Sequence, residues 1–335
     1  MKKPRTLKIV NVSPSGRDAV LLSLNAGGSE TQNFQFVPGQ YLTLAATVDG
    51  NEHWRCYSIT SEPRADEPIS VLVRRVSGGV VSNWICDNAK TGGEIRVLPP
   101  AGRFTLARLN RPLLLFAGGS GIAPIYALAR QALVEGVPKV SLFYANRDRG
   151  TIMLVEELKV LEKDFKDRFQ IKFWIDQEEG LPTVEVLRSA ADKFGDADVY
   201  LCGPEMFMQA IQATLQQAGF DPDRMYREDF GNLAEHAEPS ADADQEALMA
   251  VEFKGGLRHV AVKEGQSLLS AMLASGLPAP HSCRVGECAS CMCRLIEGEV
   301  ERLENSVLDK DDEAEGWILA CCTRAMSKKL RVRFS

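Results

Sequence analysis

The chain has 335 residues, 45% of them hydrophobic and 25% charged, with a formal net charge of −6. That length accommodates two or three domains with cores of their own, and the ordinary composition excludes a fibrous or disordered protein. No basic excess exists to suggest nucleic-acid binding. The opening residues MKKPRTLKIV carry basic side chains without a following apolar stretch, so a cytoplasmic rather than a secreted protein is expected. The uncharged run at 112–129 is cut by Gly118, Gly119, Gly121 and Pro124, which argues against a membrane span. Nine cysteines in a reducing compartment point to metal or redox chemistry rather than disulfides.

In chain order, residues 1–107 hold short β-rich runs (LKIVNV, AVLLSL, QYLTLAATV, ISVLVRRV, EIRVLP) separated by Gly, Pro and Asn turns, which predicts an antiparallel β-barrel domain. Two stretches of this region stand out. RCYSIT sets Arg55, Tyr57 and Ser58 near the end of a strand, and RRVSGGVVSNW sets Gly78 and Gly79 before a helix that opens near Ser82. From 108 to 230 strands alternate with helices: LLLFA, VSLFYA, IKFWI and DVYLC are followed by IYALARQALVEG, MLVEELKVLEKD, TVEVLRSAADKFG and EMFMQAIQATLQQAG. This alternation predicts an α/β domain with a parallel sheet and helices on both faces.

Within that domain, Gly118, Gly119 and Gly121 remove side chains at the carboxyl end of a buried strand, where a ligand approaches the backbone. Cys202, Gly203 and Pro204 fall at the same edge of the sheet, and two such loops predict a nicotinamide pocket. YANRDRG is ambiguous at the adenosine end: Asp148 suits a ribose hydroxyl, whereas Arg147 and Arg149 suit a 2′-phosphate, and NADH is favoured over NADPH. YREDFGN closes the domain, with Glu228 a candidate proton relay and Phe230 a candidate flavin cover. Residues 231–247 contain Glu235, Glu238, Asp242, Asp244 and Glu246 with no Lys or Arg, and read as an acidic linker.

The last domain, 248–335, is expected to contain a hairpin (LMAVEFKG, LRHVAVKEG), a short helix over 267–275 and a closing strand, KLRVRFS. Between them lies Cys283-x4-Cys288-x2-Cys291, followed after twenty-nine intervening residues by Cys321, the first cysteine of ILACCTR. This is the plant-type 2Fe-2S arrangement, in which four thiolates converge on two irons. Gly286, Ala289 and Ser290 allow a loop that aims backbone N–H groups at the cluster sulfurs. Cys293 and Cys322 are expected to be structural, Cys322 because it would face away from Cys321 on an extended chain. A zinc site at Cys288 and Cys291 lacks a second short pair, and a Rieske centre lacks two histidines, His281 reading as a loop residue.

A one-electron cluster cannot take a hydride, so a flavin must stand between it and a two-electron donor. The RCYSIT stretch fits that need: an Arg meets a phosphate, a Tyr ring lies on an isoalloxazine face, and a small hydroxyl reaches its N5 edge. Bare amides at Gly78 and Gly79 with a helix N-terminus suit a pyrophosphate.

Taken together, RCYS, GVVS, GGSGIAP, YANRD, CGP, EDF and SCRVGECASC with LAC resemble the ferredoxin-NADP reductase superfamily, in its branch with a C-terminal plant-type ferredoxin domain. The chain is similar to reductase components of 3-ketosteroid 9α-hydroxylase and phenylacetyl-CoA epoxidase across nearly its whole length. The resemblance implies a multidomain fold that ends in an α+β (β-grasp) ferredoxin domain. It implies FAD held by Arg55, Cys56, Tyr57, Ser58, Arg74, Gly79, Val80, Val81, Ser82 and Phe230. It assigns the nicotinamide nucleotide to Gly118, Gly119, Ser120, Gly121, Ile122, Pro124, Asn146, Arg147, Asp148, Cys202, Gly203 and Pro204. Ser58, Cys202, Glu228 and Phe230 would take part in the chemistry, and Cys283, Cys288, Cys291 and Cys321 would carry the cluster. The implied activity is an NADH-dependent reductase, monomeric, passing single electrons to a separate terminal oxygenase of Rieske or diiron type. A desaturase, a haem-thiolate monooxygenase or a hybrid-cluster protein are alternative acceptors, and a zinc-bearing interaction protein on a degenerate reductase fold is the non-enzymatic reading.

Overall fold

The computed structural model describes residues 4–25, 34–64, 67–192, 194–230, 247–253, 255–281, 283–305 and 307–334. The expected acidic linker lies outside them except for Ala247. The chain divides into two compact units, one of residues 6–42 and 57–230 and the other of residues 1–5, 43–56 and 231–335.

Strands β1 (Arg5–Pro14), β2 (Ala19–Asn25), β3 (Tyr41–Val48), β4 (Asn51–Ser58), β5 (Ile69–Arg74) and β6 (Glu94–Ala101) take up the early apolar runs, with helix α1 (Val80–Asn88) between the last two strands. In the first unit β6, β1, β2 and β5 lie side by side in that order. Pairing is antiparallel where β1 meets β2 and where β2 meets β5. A register break between Ile9 and Asn11 bends β1, as an inserted residue does in an antiparallel pair. This is the antiparallel architecture expected for the region.

The same unit continues as β7 (Leu113–Gly118), α2 (Ile122–Val134), β8 (Val140–Asn146), α3 (Val155–Asp164), β9 (Phe169–Ile175), α4 (Asp176–Glu179), α5 (Val184–Ala191), β10 (Asp198–Cys202), α6 (Glu205–Gln217) and β11 (Met225–Glu228). The strands form a parallel sheet in the order β11, β10, β7, β8, β9. Every residue of β7, β8 and β10 is buried, because helices cover both faces and leave no place for polar alternation. Leu113, Leu115 and Ala117 of β7 join one core with α2, while Leu114 and Phe116 join the other with α5 and α6. The chain runs from β7 outward through β8 to β9, then returns to place β10 on the other side of β7. The gap beyond the carboxyl ends of β7 and β10 is therefore the topological switch point, where open sheets of this kind bind ligands.

Tyr200 of β10 ties this sheet to the preceding segment. Its ring stacks on Tyr226 at 4.7 Å and meets Phe104 edge-on at 5.6 Å, and its hydroxyl accepts from the Ala107 N–H at 2.7 Å and donates to the Thr105 carbonyl at 3.4 Å.

In the second unit the C-terminal segment forms β12 (Ala247–Phe253), β13 (Gly256–Val262), α7 (Leu268–Ala274), β14 (Met292–Glu297), β15 (Val300–Arg302), α8 (Lys310–Ala314), β16 (Trp317–Leu319), β17 (Thr323–Ala325) and β18 (Lys329–Arg333). Five of these strands make a mixed sheet in the order β13, β12, β18, β14, β16, with β12 and β18 parallel. The expected hairpin is β12 and β13, and the expected short helix is α7, whose N-cap Ser267 accepts from the Ser270 N–H. Glu252 forks to Arg331 and Arg333, joining β12 to the closing strand. The helix packs Leu268, Leu269, Ala271 and Met272 into a core that also holds Cys291, Cys293 and Cys322. The structure adds α8 and the small pair β15 and β17, which the short apolar runs did not announce.

Replacing Tyr200 by Phe leaves the rings packed but removes both hydroxyl contacts. A loss of about 1 kcal/mol is expected, measured as a lower thermal unfolding midpoint with the far-ultraviolet circular dichroism of the folded state unchanged.

Candidate functional site

At the switch point the two glycine loops meet backbone to backbone. A Cβ on Gly121 would lie 2.0 Å from the Cys202 carbonyl oxygen, one on Gly118 would lie 2.7 Å from the Pro204 ring, and one on Gly203 would lie 2.9 Å from the Gly118 nitrogen. Only glycine allows this approach, and the result is a ledge of bare main chain at the strand ends. Gly119 adopts φ +52°, and its missing Cβ would sit 2.9 Å from Nη1 of Arg74, so the guanidinium at the end of β5 lies against the loop. Gly119, Ser120 and Gly121 form a 3-10 turn that leads into α2, which begins at Ile122 with Pro124 in its first turn and has no side-chain cap. Its first N–H groups are thus left to a ligand or water.

Cys202 is fully buried. Burial pushes its thiol well above the usual range, and the carboxylates of Glu228 and Asp229 add to the shift, so it stays protonated at neutral pH. Glu228 is its register partner across β10 and β11. Asn146, buried at the end of β8, donates from Nδ2 to the Tyr144 carbonyl at 3.5 Å, while its Oδ1 has no hydrogen-bond partner. Phe230, the expected flavin cover, is 51% exposed.

At the adenosine edge the expected ambiguity becomes a set of ion pairs. Asp148 accepts from Nη2 of Arg17 at 3.0 Å and lies 3.4 Å from Nε of Arg147, and Arg147 also approaches Asp18 at 3.7 Å. Arg149 makes two bonds of 2.7 Å to Glu178. Desolvation is the largest single influence on Asp148 and opposes its charge, but Arg17, Arg147 and the Gly150 N–H together outweigh it and hold the carboxyl below its ordinary range.

The residues expected at the flavin are arranged unevenly. Ser58 is buried, and its Oγ has no hydrogen-bond partner; such an orphaned hydroxyl is costly unless a bound group satisfies it. Tyr57 beside it is half-buried. Gly79 is the N-cap of α1 and makes no side-chain cap, which leaves the amides at Val80 and Val81 uncapped. Ser82 turns inward instead, accepting from the Val76 N–H at 3.3 Å, so its hydroxyl braces the loop rather than the helix entrance. Arg55 and Cys56 belong to the second unit. There Nη1 of Arg55 donates to the carbonyls of Trp54 and His281 at 2.7 and 3.2 Å, and Cys56 lies 3.4 Å from Oγ1 of Thr43.

In that unit the cysteine loop gathers its thiols as two pairs. The Cys283 N–H donates to Sγ of Cys288 at 3.3 Å, and the Cys321 N–H donates to Sγ of Cys291 at 3.5 Å. The N–H groups of Val285 and Glu287 point at Sγ of Cys283 at 3.5 and 3.4 Å. This requires Arg284 and Ala289 to adopt φ +58° and +59°, unusual for residues with a Cβ, and Gly286 φ +78°. A hydrogen bond with the Cys288 thiol raises Cys283 above the ordinary thiol range, and one with Cys291 raises Cys321. Two close thiol pairs with main-chain donors aimed at sulfur fit a pair of tetrahedral irons and leave a one-metal site poorly served. Among the described residues no group of three or more His, Cys, Asp or Glu side chains is already gathered as for a metal ion. His281 donates to the Ala279 carbonyl at 2.8 Å and receives Arg284 on its other nitrogen at 3.1 Å, a loop residue as expected.

The extended backbone expected at Cys322 is not found, although the residue is buried in the core of its domain. Ala320, Cys321 and Cys322 form a 3-10 turn, not an extended segment, and the two sulfurs lie 3.6 Å apart. Successive side chains of such a turn diverge by about 120° rather than 180°. Cys293 is fully buried, as expected of a structural thiol.

Comparison with known proteins agrees with this geometry. Residues 7–106 match the oxidoreductase FAD-binding domain family, 115–213 the oxidoreductase NAD-binding domain family, and 251–326 the 2Fe-2S iron-sulfur cluster binding domain family. The ferredoxin reductase component of 3-ketosteroid-9-alpha-monooxygenase from Rhodococcus rhodochrous is 36% identical over 96% of this chain and 98% of its own. The glycine betaine monooxygenase reductase subunit of Pseudomonas aeruginosa is 30% identical over 87% of this chain and 85% of its own. Phthalate dioxygenase reductase shares the fold, with a TM-score of 0.63 and 24% identity over 99% of this chain and 98% of that one. An intact type IV self-sufficient cytochrome P450 monooxygenase is matched over 98% of this chain but only 41% of that longer chain, with 25% identity and a TM-score of 0.65.

Fold and site thus define a three-domain oxidoreductase for FAD, a nicotinamide nucleotide and a 2Fe-2S cluster. The chain belongs to the family of oxygenase ferredoxin-reductase components, which deliver electrons to a terminal oxygenase.

Gly121→Ala would force its methyl onto the Cys202 carbonyl. Separation of the two loops and at least a tenfold rise in the dissociation constant for the nicotinamide nucleotide are expected, read by titration of the purified variant.

Proposed function

We propose that this reductase takes electrons from NADH at the carboxyl ends of β7 and β10 and passes them singly to a separate terminal oxygenase of Rieske or diiron type. Bound FAD supplies the conversion of electron pairs to single electrons, and the bound 2Fe-2S cluster supplies a one-electron relay. The bare ledge of Gly118, Gly119, Ser120, Gly121, Gly203 and Pro204 receives the nicotinamide nucleotide, with Ile122 and Pro124 shaping the helix entrance and Asn146 offering its unpaired Oδ1. Cys202 remains a neutral thiol beside that ledge, and Glu228 holds or yields a proton there. Ser58 gives its orphaned hydroxyl to the flavin ring, Tyr57 offers a ring face and Phe230 a cover. Arg74 and the amides at Gly79, Val80 and Val81 neutralise the FAD pyrophosphate, Ser82 bracing their loop, and Arg55 and Cys56 line the strand that leads to Ser58. Cys283, Cys288, Cys291 and Cys321 carry the cluster. The observation that carries this reading is the glycine-only contact at the switch point together with two thiol pairs in one chain.

The choice of NADH follows from charge. Asp148, Asp18 and Glu178 already engage Arg17, Arg147 and Arg149, so a 2′-phosphate would meet carboxylates before guanidinium groups. The acceptor's substrate is selected by the acceptor; a steroid oxygenase is the first partner to assay, given the Rhodococcus relative. A haem-thiolate acceptor is the second reading, favoured by the match to the self-sufficient cytochrome P450 chain. A cytoplasmic site of action and a monomer are proposed; among the described residues no helix is long and apolar enough to cross a membrane.

Two measurements test the scheme. The full chain loaded with FAD and iron should reduce both ferricyanide and cytochrome c with NADH. Cys291→Ser should lose the 2Fe-2S spectrum and at least tenfold of its cytochrome c reduction, while keeping flavin-dependent ferricyanide reduction. Equal loss of both activities would overturn the order of carriers. Asp148→Ser removes a carboxylate and releases Arg17 and Arg147, so the ratio of kcat/KM for NADPH over NADH should rise about tenfold, equivalent to about 1.4 kcal/mol.

A further inference from the structure

We propose that Cys322 is a positioning residue whose thiol donates a hydrogen bond to Sγ of Cys321 and so raises the reduction potential of the cluster. This rests on the reading that Cys321 is a ligand. The two sulfurs are 3.6 Å apart, with either able to donate when both are thiols. Ligation settles the direction, because a sulfur bound to iron has given up its proton and the remaining S–H belongs to Cys322.

The surroundings hold this donor in place. The Cys322 carbonyl accepts from the Leu303 N–H at 2.8 Å, and Oγ1 of Thr323 donates to the Leu319 carbonyl at 2.8 Å, clamping the turn from both sides. Sγ of Cys322 also sits where a Cβ on Gly286 would be, 2.7 Å away, so the ligand loop closes over it. The residue is 8% exposed, and water competes little for the proton. Reduction adds negative charge that spreads onto the ligand sulfurs. A donor at that sulfur stabilises the reduced form more than the oxidised one, and an S–H bond, weak in water, gains strength in a low-dielectric site.

The test is an EPR-monitored redox titration of the full, FAD-loaded chain and of three variants. Cys322→Ala and Cys322→Val lack the donor, the second nearly matching the volume, and Cys322→Ser retains one. The cluster midpoint is expected to move to more negative potential in the Ala and Val variants and to stay nearer the parent in the Ser variant, with the flavin midpoint unchanged in all. An unchanged midpoint in Ala and Val, or a Ser variant as low as both, would overturn the proposal. So would absence of the cluster from both non-donor variants, since Cys322 would then be holding iron. Absence of a 2Fe-2S signal from the parent would instead defeat the underlying reading of Cys321.

Discussion

The nucleotide half of this reductase depends on a contact made without side chains. Gly121 packs on the Cys202 carbonyl and Gly118 on Gly203, which brings the ends of β7 and β10 together. Any Cβ at these positions would wedge the strands apart where the sheet changes direction. The backbone amides left at the edge are fixed by the two cores, on opposite faces of β7, that bury the strands completely. Binding chemistry is thus placed by packing behind it rather than by polar groups within it.

The cysteine loop follows a different logic. It accepts left-handed backbone at Arg284 and Ala289, at about 1 kcal/mol each, and obtains amides directed at sulfur in exchange. Cys291, Cys293 and Cys322 are themselves part of the core of the small β-sheet unit around it, beside Met249, Leu268, Met272 and Leu330. Loop and core are consequently one construction, and iron binding contributes to folding as well as to electron transfer.

Much of this was legible in the residues. The β-α alternation from 108 to 230 gave the parallel sheet, and the glycine and CGP loops marked the strand ends that meet at its switch point. The cysteine spacing carried the cluster loop. What escaped was local geometry set by distant partners. Asp148 and its neighbouring arginines looked ambiguous because Arg17, Asp18 and Glu178 are far away in sequence. Ser82 read as a helix entrance, but its hydroxyl is taken by Val76. The turn at Cys322 escaped because two adjacent cysteines give no sign that their backbone leaves the extended form for a 3-10 turn. The grouping of 43–56 with the C-terminal segment has no signature in composition at all.

Strand β18 occupies the middle of the C-terminal sheet, between β12 and β14, although it follows all the other strands in sequence. On the ribosome the cysteine loop therefore emerges while the sheet behind it still lacks its centre. The thiols are held apart from a finished scaffold until translation has passed β18, and metal delivery by the cell's assembly machinery must meet either an open, oxidation-prone loop or a completed one.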